Sequence, residues 1–344
     1  MKLEQSERLL VDELFSSSME AGKISPLMDY EIEKLTGDAG TRRYYRVHKE
    51  HKETYVVCLD NPIEEKSKKS SFLEVHELLE SRNVRVPILY DLNLQKGYYL
   101  EEDLGDVTLL KALAEADEKK EYEFYERAID ELIKIHSTSE ADIKGKCFEN
   151  LAFDFEKLLY EVEFTNKYFI GEFLGHDLWG AEKRRMDDLF TNLLTEIANQ
   201  KRVLTHRDFH SRNVMVKNNE LIVIDFQDAR MGIPQYDLVS LLEDAYYEIG
   251  RQNKYNLKKY YWGNFLEDKG FQSSFEEFER LYALMSIQRV YKAIGSFSYI
   301  HTTRGDVRYL KYIGFCFEKL RSVMTSLPEL RDLKNTLCKI YYEY

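Results

Sequence analysis

The stretch "THRDFHSRNVMVKNNELIVIDFQDA", residues 205–229, decides the fold. Two short apolar runs, "VMV" (214–216) and "LIVID" (221–225), flank "KNNE", and the Asn218-Asn219 pair suits a tight turn. The spacing therefore predicts a β-hairpin. Asp208 and Asn213 lie in the loop that enters it and Asp225 lies at its exit. A hairpin brings entry and exit together, so three oxygen-bearing side chains converge. Asn213 and Asp225 are hard oxygen donors suited to Mg²⁺. Asp208 is placed to orient a hydroxyl and accept its proton.

Outward from the hairpin, the chain changes character. Toward the N-terminus come strand candidates at 42–49, 54–60 and 96–104, with a helix over 70–81 between the last two. An amphipathic helix over 6–20 precedes them, with Leu9, Leu10 and Leu14 as its apolar residues. From Val107 onward helical spacing dominates, as in Ala128, Ile129, Leu132, Ile133 and Ile135. Strands first and helices later predict an α+β chain with two lobes. The lobes divide as residues 1–104, which carry the strands, and 105–344, which are helical and hold the hairpin.

Composition narrows the partners. A formal net charge of −12 on 344 residues gives no electrostatic drive toward a phosphate backbone, so no nucleic-acid partner is expected. No apolar run reaches the length of a membrane span, and no obligate protein partner is evident. "MKLEQSERLLVDELF" places acids where an export signal carries basic residues, which predicts a cytoplasmic protein. The four cysteines, Cys58, Cys147, Cys316 and Cys338, show no metal spacing and read as reduced thiols.

Metals on the phosphates of a nucleotide, and a carboxylate at the nucleophile, are the parts phosphoryl transfer needs. The order His-Arg-Asp, then Asn five residues after the Asp, then Asp-Phe, is the order of a kinase catalytic loop. "HRDFHSRN" and "DFQDA" resemble the aminoglycoside phosphotransferase and choline kinase superfamily, which has the bilobal protein-kinase-like fold. The protein kinases proper carry glycine where Gln227 stands, and an Ala-Pro-Glu segment that is absent here. "TRRYYRV" (41–47), "LEEDLGDVTL" (100–109), "IDFQDARMGIPQYDLVSLLEDAY" (224–246) and "SIQRVYKAIGSF" (286–297) further resemble the anomeric amino-sugar kinases of bacterial cell-wall recycling. That resemblance implies ATP and Mg²⁺, and an N-acetylmuramate or N-acetylglucosamine acceptor phosphorylated at the 1-hydroxyl. A kinase for an aminoglycoside or a choline-like amino alcohol is the alternative, and a nucleotide-binding pseudokinase a third.

By the resemblance, Asp208 is the catalytic base and Asn213 and Asp225 are the metal ligands. His206 and Arg207 brace the loop. His210 and Arg212 either face the acceptor or bond backbone. Asp228 stands beside the metal site, and Asp237 reads as the N-cap of the following helix. In the small lobe, backbone N–H groups at Gly40 and Thr41 are placed to approach phosphate, with Arg43 or Arg46 supplying charge. Kinases hold the phosphates with a lysine on the next strand, but "TYVVCLD" has none, with Cys58 or Leu59 at that position. Glu74 and Glu77 thereby lack a designated partner. "YLEEDLG" fits the connection between the lobes, with adenine against the backbone from Glu101 to Asp103, or else an acidic surface loop. For the acceptor, Glu161 and Glu163 are candidates on an aromatic-rich helix. Arg289 either pairs with an acid of the catalytic lobe or reaches a lactyl carboxylate.

Overall fold

The computed structural model describes residues 5–35, 42–49, 53–63 and 70–343. The small lobe runs α1 (Gln5–Glu20), β1 (Glu31–Lys34), β2 (Arg43–Lys49), β3 (Glu53–Leu59), α2 (Ser71–Ser81), β4 (Leu89–Asn93) and β5 (Tyr98–Glu102). Its strands form one antiparallel sheet in the order β1-β2-β3-β5-β4. Side chains alternate across it with the strand period of two. Tyr45, Val47, Val57, Leu59, Tyr98 and Leu100 face outward and are covered by α1. Tyr44, Cys58 and Tyr99 face the other way, toward α2 and the cleft.

The apolar face of α1 differs from expectation. Val11, Leu14, Phe15 and Ser18 are buried, whereas Leu9 is 63% exposed. The sheet accepts the i, i+3, i+4, i+7 face that contains Phe15, and Leu9 falls outside that stripe. Ser18 also bonds Tyr98 Oη at 2.9 Å and donates to Asp91 Oδ2 at 2.7 Å, which ties the helix to β4 and β5.

The helical lobe begins with α3 (Leu109–Leu113), α4 (Glu118–His136), α5 (Glu140–Ile143), α6 (Phe155–Thr165) and α7 (Gly180–Ala198). The strands β6 (Val203–Thr205), β7 (Val214–Lys217), β8 (Glu220–Val223) and β9 (Arg230–Gly232) follow. The chain closes with α8 (Gln235–Leu242), α9 (Arg251–Tyr261), α10 (Phe275–Arg304), α11 (Leu310–Thr325) and α12 (Arg331–Glu343). β7 and β8 are the expected hairpin, in the register Lys217↔Glu220. Asn218 and Asn219 both adopt positive φ, 50° and 63°, as a two-residue hairpin turn requires and as asparagine tolerates. Two strand pairs within the lobe, β7 with β8 and β6 with β9, frame the stretch over 206–213.

One continuous apolar core runs through the helical lobe and reaches Cys58, Phe72, Val75 and Tyr99 beneath the sheet. Polar contacts also join the lobes. Val223 N–H donates to Arg85 O at 2.8 Å, and Lys217 Nζ donates to Glu102 Oε1 and Asp103 O, each at 2.8 Å. The hairpin is thereby fixed against the strand that leads out of the small lobe.

Candidate active site

The stretch over 206–213 is held by a carboxylate the sequence had pointed to for another task. Asp237 is fully buried in the first turn of α8, where Pro234 is the capping residue. Its role is structural, as expected, but it caps no helix. Its carboxylate accepts from His206 N–H at 2.6 Å and Arg207 N–H at 3.0 Å, and it contacts His136 Nε2 at 3.2 Å. Arg207 has φ of 84° there, a conformation costly for a side-chain-bearing residue and maintained by these two bonds. His206 completes the brace. It is buried, its Nε2 bonds Ile224 O at 3.0 Å, and its Nδ1 accepts from Asp208 N–H at 3.3 Å. On the far side, Asp244 accepts from Ser211 N–H at 2.9 Å and from the Ser211 hydroxyl.

That scaffold brings the hairpin ends together. Asn213 Nδ2 donates to Asp208 O at 3.0 Å and to Asp225 Oδ2 at 3.2 Å. Asp225 has φ of 66° and its side chain is exposed to the cleft. With its amide nitrogen so engaged, Asn213 has its Oδ1 as the oxygen donor it can offer a cation. The donor set is therefore one amide oxygen and one carboxylate. Among the described residues no group of three His, Cys, Asp or Glu side chains is placed to hold a metal. That combination fits Mg²⁺, which takes one or two protein oxygens and completes its shell with water and phosphate.

Asp208 lies at the floor of a cavity of about 330 Å³. Arg289 from α10 reaches its Oδ1 at 3.1 Å and Lys292, one turn on, stands 3.7 Å from the same oxygen. Arg207 Nε is 3.6 Å from Oδ2. Burial opposes ionisation of Asp208, but Lys292, Arg289 and Arg207 outweigh it and hold the carboxyl well below the ordinary carboxylate range. Arg289 is thus paired with an acid of the catalytic loop, and its Nε also donates to Ser240 Oγ at 2.9 Å. Arg207 is ion-paired with Asp228 as well.

His210 and Arg212 both line the cavity. The Arg212 guanidinium lies 4.8 Å from the ring centroid of Tyr246, and His210 meets the same ring edge-on at 5.6 Å. Burial depresses the His210 pKa. Tyr246, Phe297 and Tyr309 supply aromatic wall. Glu161 and Glu163 are not in that wall. Glu161 is buried and accepts from Gln288 Nε2 at 2.9 Å, while Glu163 is exposed on α6.

On the small-lobe side, Gly40 and Thr41 lie outside the described residues. Arg43 points to the outer face and pairs with Glu7 at 2.8 Å, away from the cleft. Arg46 forms a bidentate pair with Asp103, at 2.7 and 3.0 Å, which fixes the connection between the lobes. The Asp103 carboxylate is also bonded by Gly105 N–H at 2.9 Å. Glu101 lies on the cleft face of β5, and burial raises its pKa to about 7 despite Arg42. Glu74 accepts from Cys147 N–H at 2.6 Å.

Sequence reasoning passed over Lys292, Arg42 and Tyr246. Lys292 follows Arg289 by three residues and shares its helix face, a spacing that could have found it. Arg42 was hidden beside Arg43, and only the strand alternation separates them.

The phosphotransferase enzyme family model matches residues 31–269, more than half of the chain. An N-acetylmuramate/N-acetylglucosamine kinase of Neisseria meningitidis serogroup B is 30% identical over 320 residues, 92% of each chain. The enzyme of that name from Pseudomonas aeruginosa is 30% identical over 322 residues, 93% of this chain and 90% of its own. Among solved structures, an ADP-bound aminoglycoside phosphotransferase aligns at TM-score 0.59 and 19% identity, covering 88% of this chain and 96% of its own. A Plasmodium vivax ethanolamine kinase aligns at TM-score 0.60 and 14% identity, covering 96% and 91%. These two carry the fold alone, and it is the bilobal kinase-like one expected. With a family model matched over residues 31–269 and relatives 30% identical over nine-tenths of the chain, this chain belongs to the phosphotransferase enzyme family.

Proposed function

We propose that this chain transfers the terminal phosphoryl group of ATP to the anomeric hydroxyl of N-acetylmuramate or N-acetylglucosamine. The observation that carries the reading is the 30% identity, over 92% of both chains, to a kinase named for those two sugars. Asn213 and Asp225 would hold Mg²⁺, which neutralises charge on the phosphoryl group in flight. Asp208 orients the acceptor hydroxyl and takes its proton. Adenine sits against the backbone between Glu101 and Asp103, and the use of ATP places the reaction in the cytoplasm.

The electrostatics of Asp208 support the choice of hydroxyl. A carboxylate held low by Lys292, Arg289 and Arg207 is a weak base. It is best matched to a hydroxyl more acidic than an ordinary alcohol. The anomeric hydroxyl is such a group, because the ring oxygen withdraws electron density from it.

The cavity also favours a sugar over a cationic acceptor. Arg212, Arg289 and Lys292 line it. Of the four lining acids, Glu243 is bonded to Lys254 and Tyr282, Asp244 to Ser211, and Asp208 faces Arg289 and Lys292, which leaves Asp225 to the metal. The Tyr246 face that a quaternary ammonium would use already carries the Arg212 guanidinium. A cavity of about 330 Å³ is at the small end for ligand pockets, which suits a monosaccharide.

A panel of amino sugars, aminoglycosides and amino alcohols with Mg-ATP, read by ADP release and mass spectrometry, tests the acceptor. The reducing-sugar signal tests the position. It is expected to fall in step with ADP release, because a 1-phosphate locks the ring. ADP release at constant reducing signal would move the transfer to another hydroxyl.

A further inference from the structure

The phosphate-binding lysine of kinase-like folds has no equivalent on β3. Cys58 stands on the cleft face there, and burial pushes its thiol up, so it offers no charge. The small lobe nevertheless presents a cation to the site from the residue just before β2. Arg42 is largely buried under the sheet, and its Nε donates to Asp60 Oδ2 at 2.9 Å. Its guanidinium lies 5.0 Å from the centroid of the Phe72 ring, which stacks on Phe226 at 5.2 Å. Its NH1 donates to Gln227 Oε1 at 3.0 Å. Gln227 Nε2 in turn donates to Asp225 Oδ1 at 2.7 Å. A single side-chain amide therefore separates the guanidinium from the carboxylate assigned to the metal.

The two arginines of β2 itself are committed elsewhere, Arg43 to Glu7 on the outer face and Arg46 to Asp103. We propose that Arg42 is the phosphate-binding cation of this chain, in place of the strand lysine, and that Gln227 is the neutral spacer that keeps it beside Asp225 without pairing to it. The inference rests on the phosphotransferase reading. A glycine at 227 would leave nothing between guanidinium and carboxylate, and a direct ion pair would compete with the metal. The amide instead offers its oxygen to the cation and its N–H to the anion. Both bonds are weaker than a guanidinium–phosphate fork, so incoming phosphate oxygens displace the amide readily. Asp60 keeps the fork oriented throughout.

The test is calorimetry on the full chain with two probes, a non-hydrolysable Mg·ATP analogue and adenosine. Arg42→Met is expected to weaken the triphosphate by roughly 10–100-fold, the range for a lost charged hydrogen bond, and to leave adenosine unchanged. Arg42→Lys should recover part of the loss. If Arg42→Met does not fold, Gln227→Glu keeps Arg42 in place but turns its neutral contact into an ion pair. That variant should also bind the triphosphate more weakly, again with adenosine unaffected. Unchanged triphosphate affinity in the variant that folds overturns the proposal. So does an equal loss for adenosine, which would make Arg42 a packing residue over Phe72. A wild-type chain that bound neither probe and transferred no phosphoryl group would instead sink the phosphotransferase reading beneath it.

Discussion

The floor and the roof of the cleft are assembled differently. On the floor, Asp208, Asn213 and Asp225 all lie within one hairpin and its entry loop, and short hydrogen bonds inside that segment converge them. On the roof, Arg42, Asp60, Phe72 and Gln227 come from four separate places in the chain and meet only because the sheet lies over α2 and the Asp-Phe-Gln turn. A local constellation depends on one turn being correct. A distributed one depends on the relative position of two lobes, and it is correspondingly easier to disturb from far away.

The sharpest way to break this contrast is at the floor. Asp225→Ala should abolish transfer, because it removes the carboxylate proposed to hold the metal at the phosphoryl site, a loss on the order of several kcal/mol in the barrier. The fold should survive, since the side chain is exposed to the cleft. Steady-state rates beside circular dichroism check both halves, and near-normal turnover in a folded variant would refute the assignment.

Asp208→Asn comes next. The amide is nearly isosteric but cannot take the acceptor's proton, so kcat should fall by about 10²–10⁴-fold with nucleotide binding retained. An effect confined to nucleotide KM would make Asp208 a binding residue instead.

Asp237→Ala separates scaffold from chemistry. It strands His206 N–H, Arg207 N–H and His136 in a buried site, and each polar group left unsatisfied there costs about 1–3 kcal/mol. A urea titration should show that loss of stability. A stability equal to the parent's would mean the loop is held by something other than Asp237.

The smallest effect is expected at Glu163. Its side chain is exposed on α6 and outside the cavity wall, so Glu163→Gln should leave acceptor KM and stability within experimental scatter. A raised acceptor KM would restore it to the binding surface.

The sequence by itself determined what repeats locally. The hairpin over 214–223 was legible because Asn218-Asn219 can take positive φ and the flanking apolar runs have strand length. The helices over 5–20 and 71–81, and the strands β2, β3 and β5, were legible from their own local apolar spacing, within a residue or two at their ends. Strands β1 and β4 were not, because "EIEK" carries a single apolar residue and "LYDLN" is interrupted by the turn formers Asp91 and Asn93, and both are fixed by pairing with β2 and β5. The tertiary structure alone decided which face of α1 is buried, which of two adjacent arginines enters the cleft, and that Asp237 serves the catalytic loop rather than a helix end. The physical reason is common to all three. Local propensity depends on neighbours along the chain, whereas burial, ion pairing and backbone satisfaction depend on neighbours in space. For Arg42 and Asp237 those neighbours lie up to 185 residues away, the separation between Arg42 and Gln227.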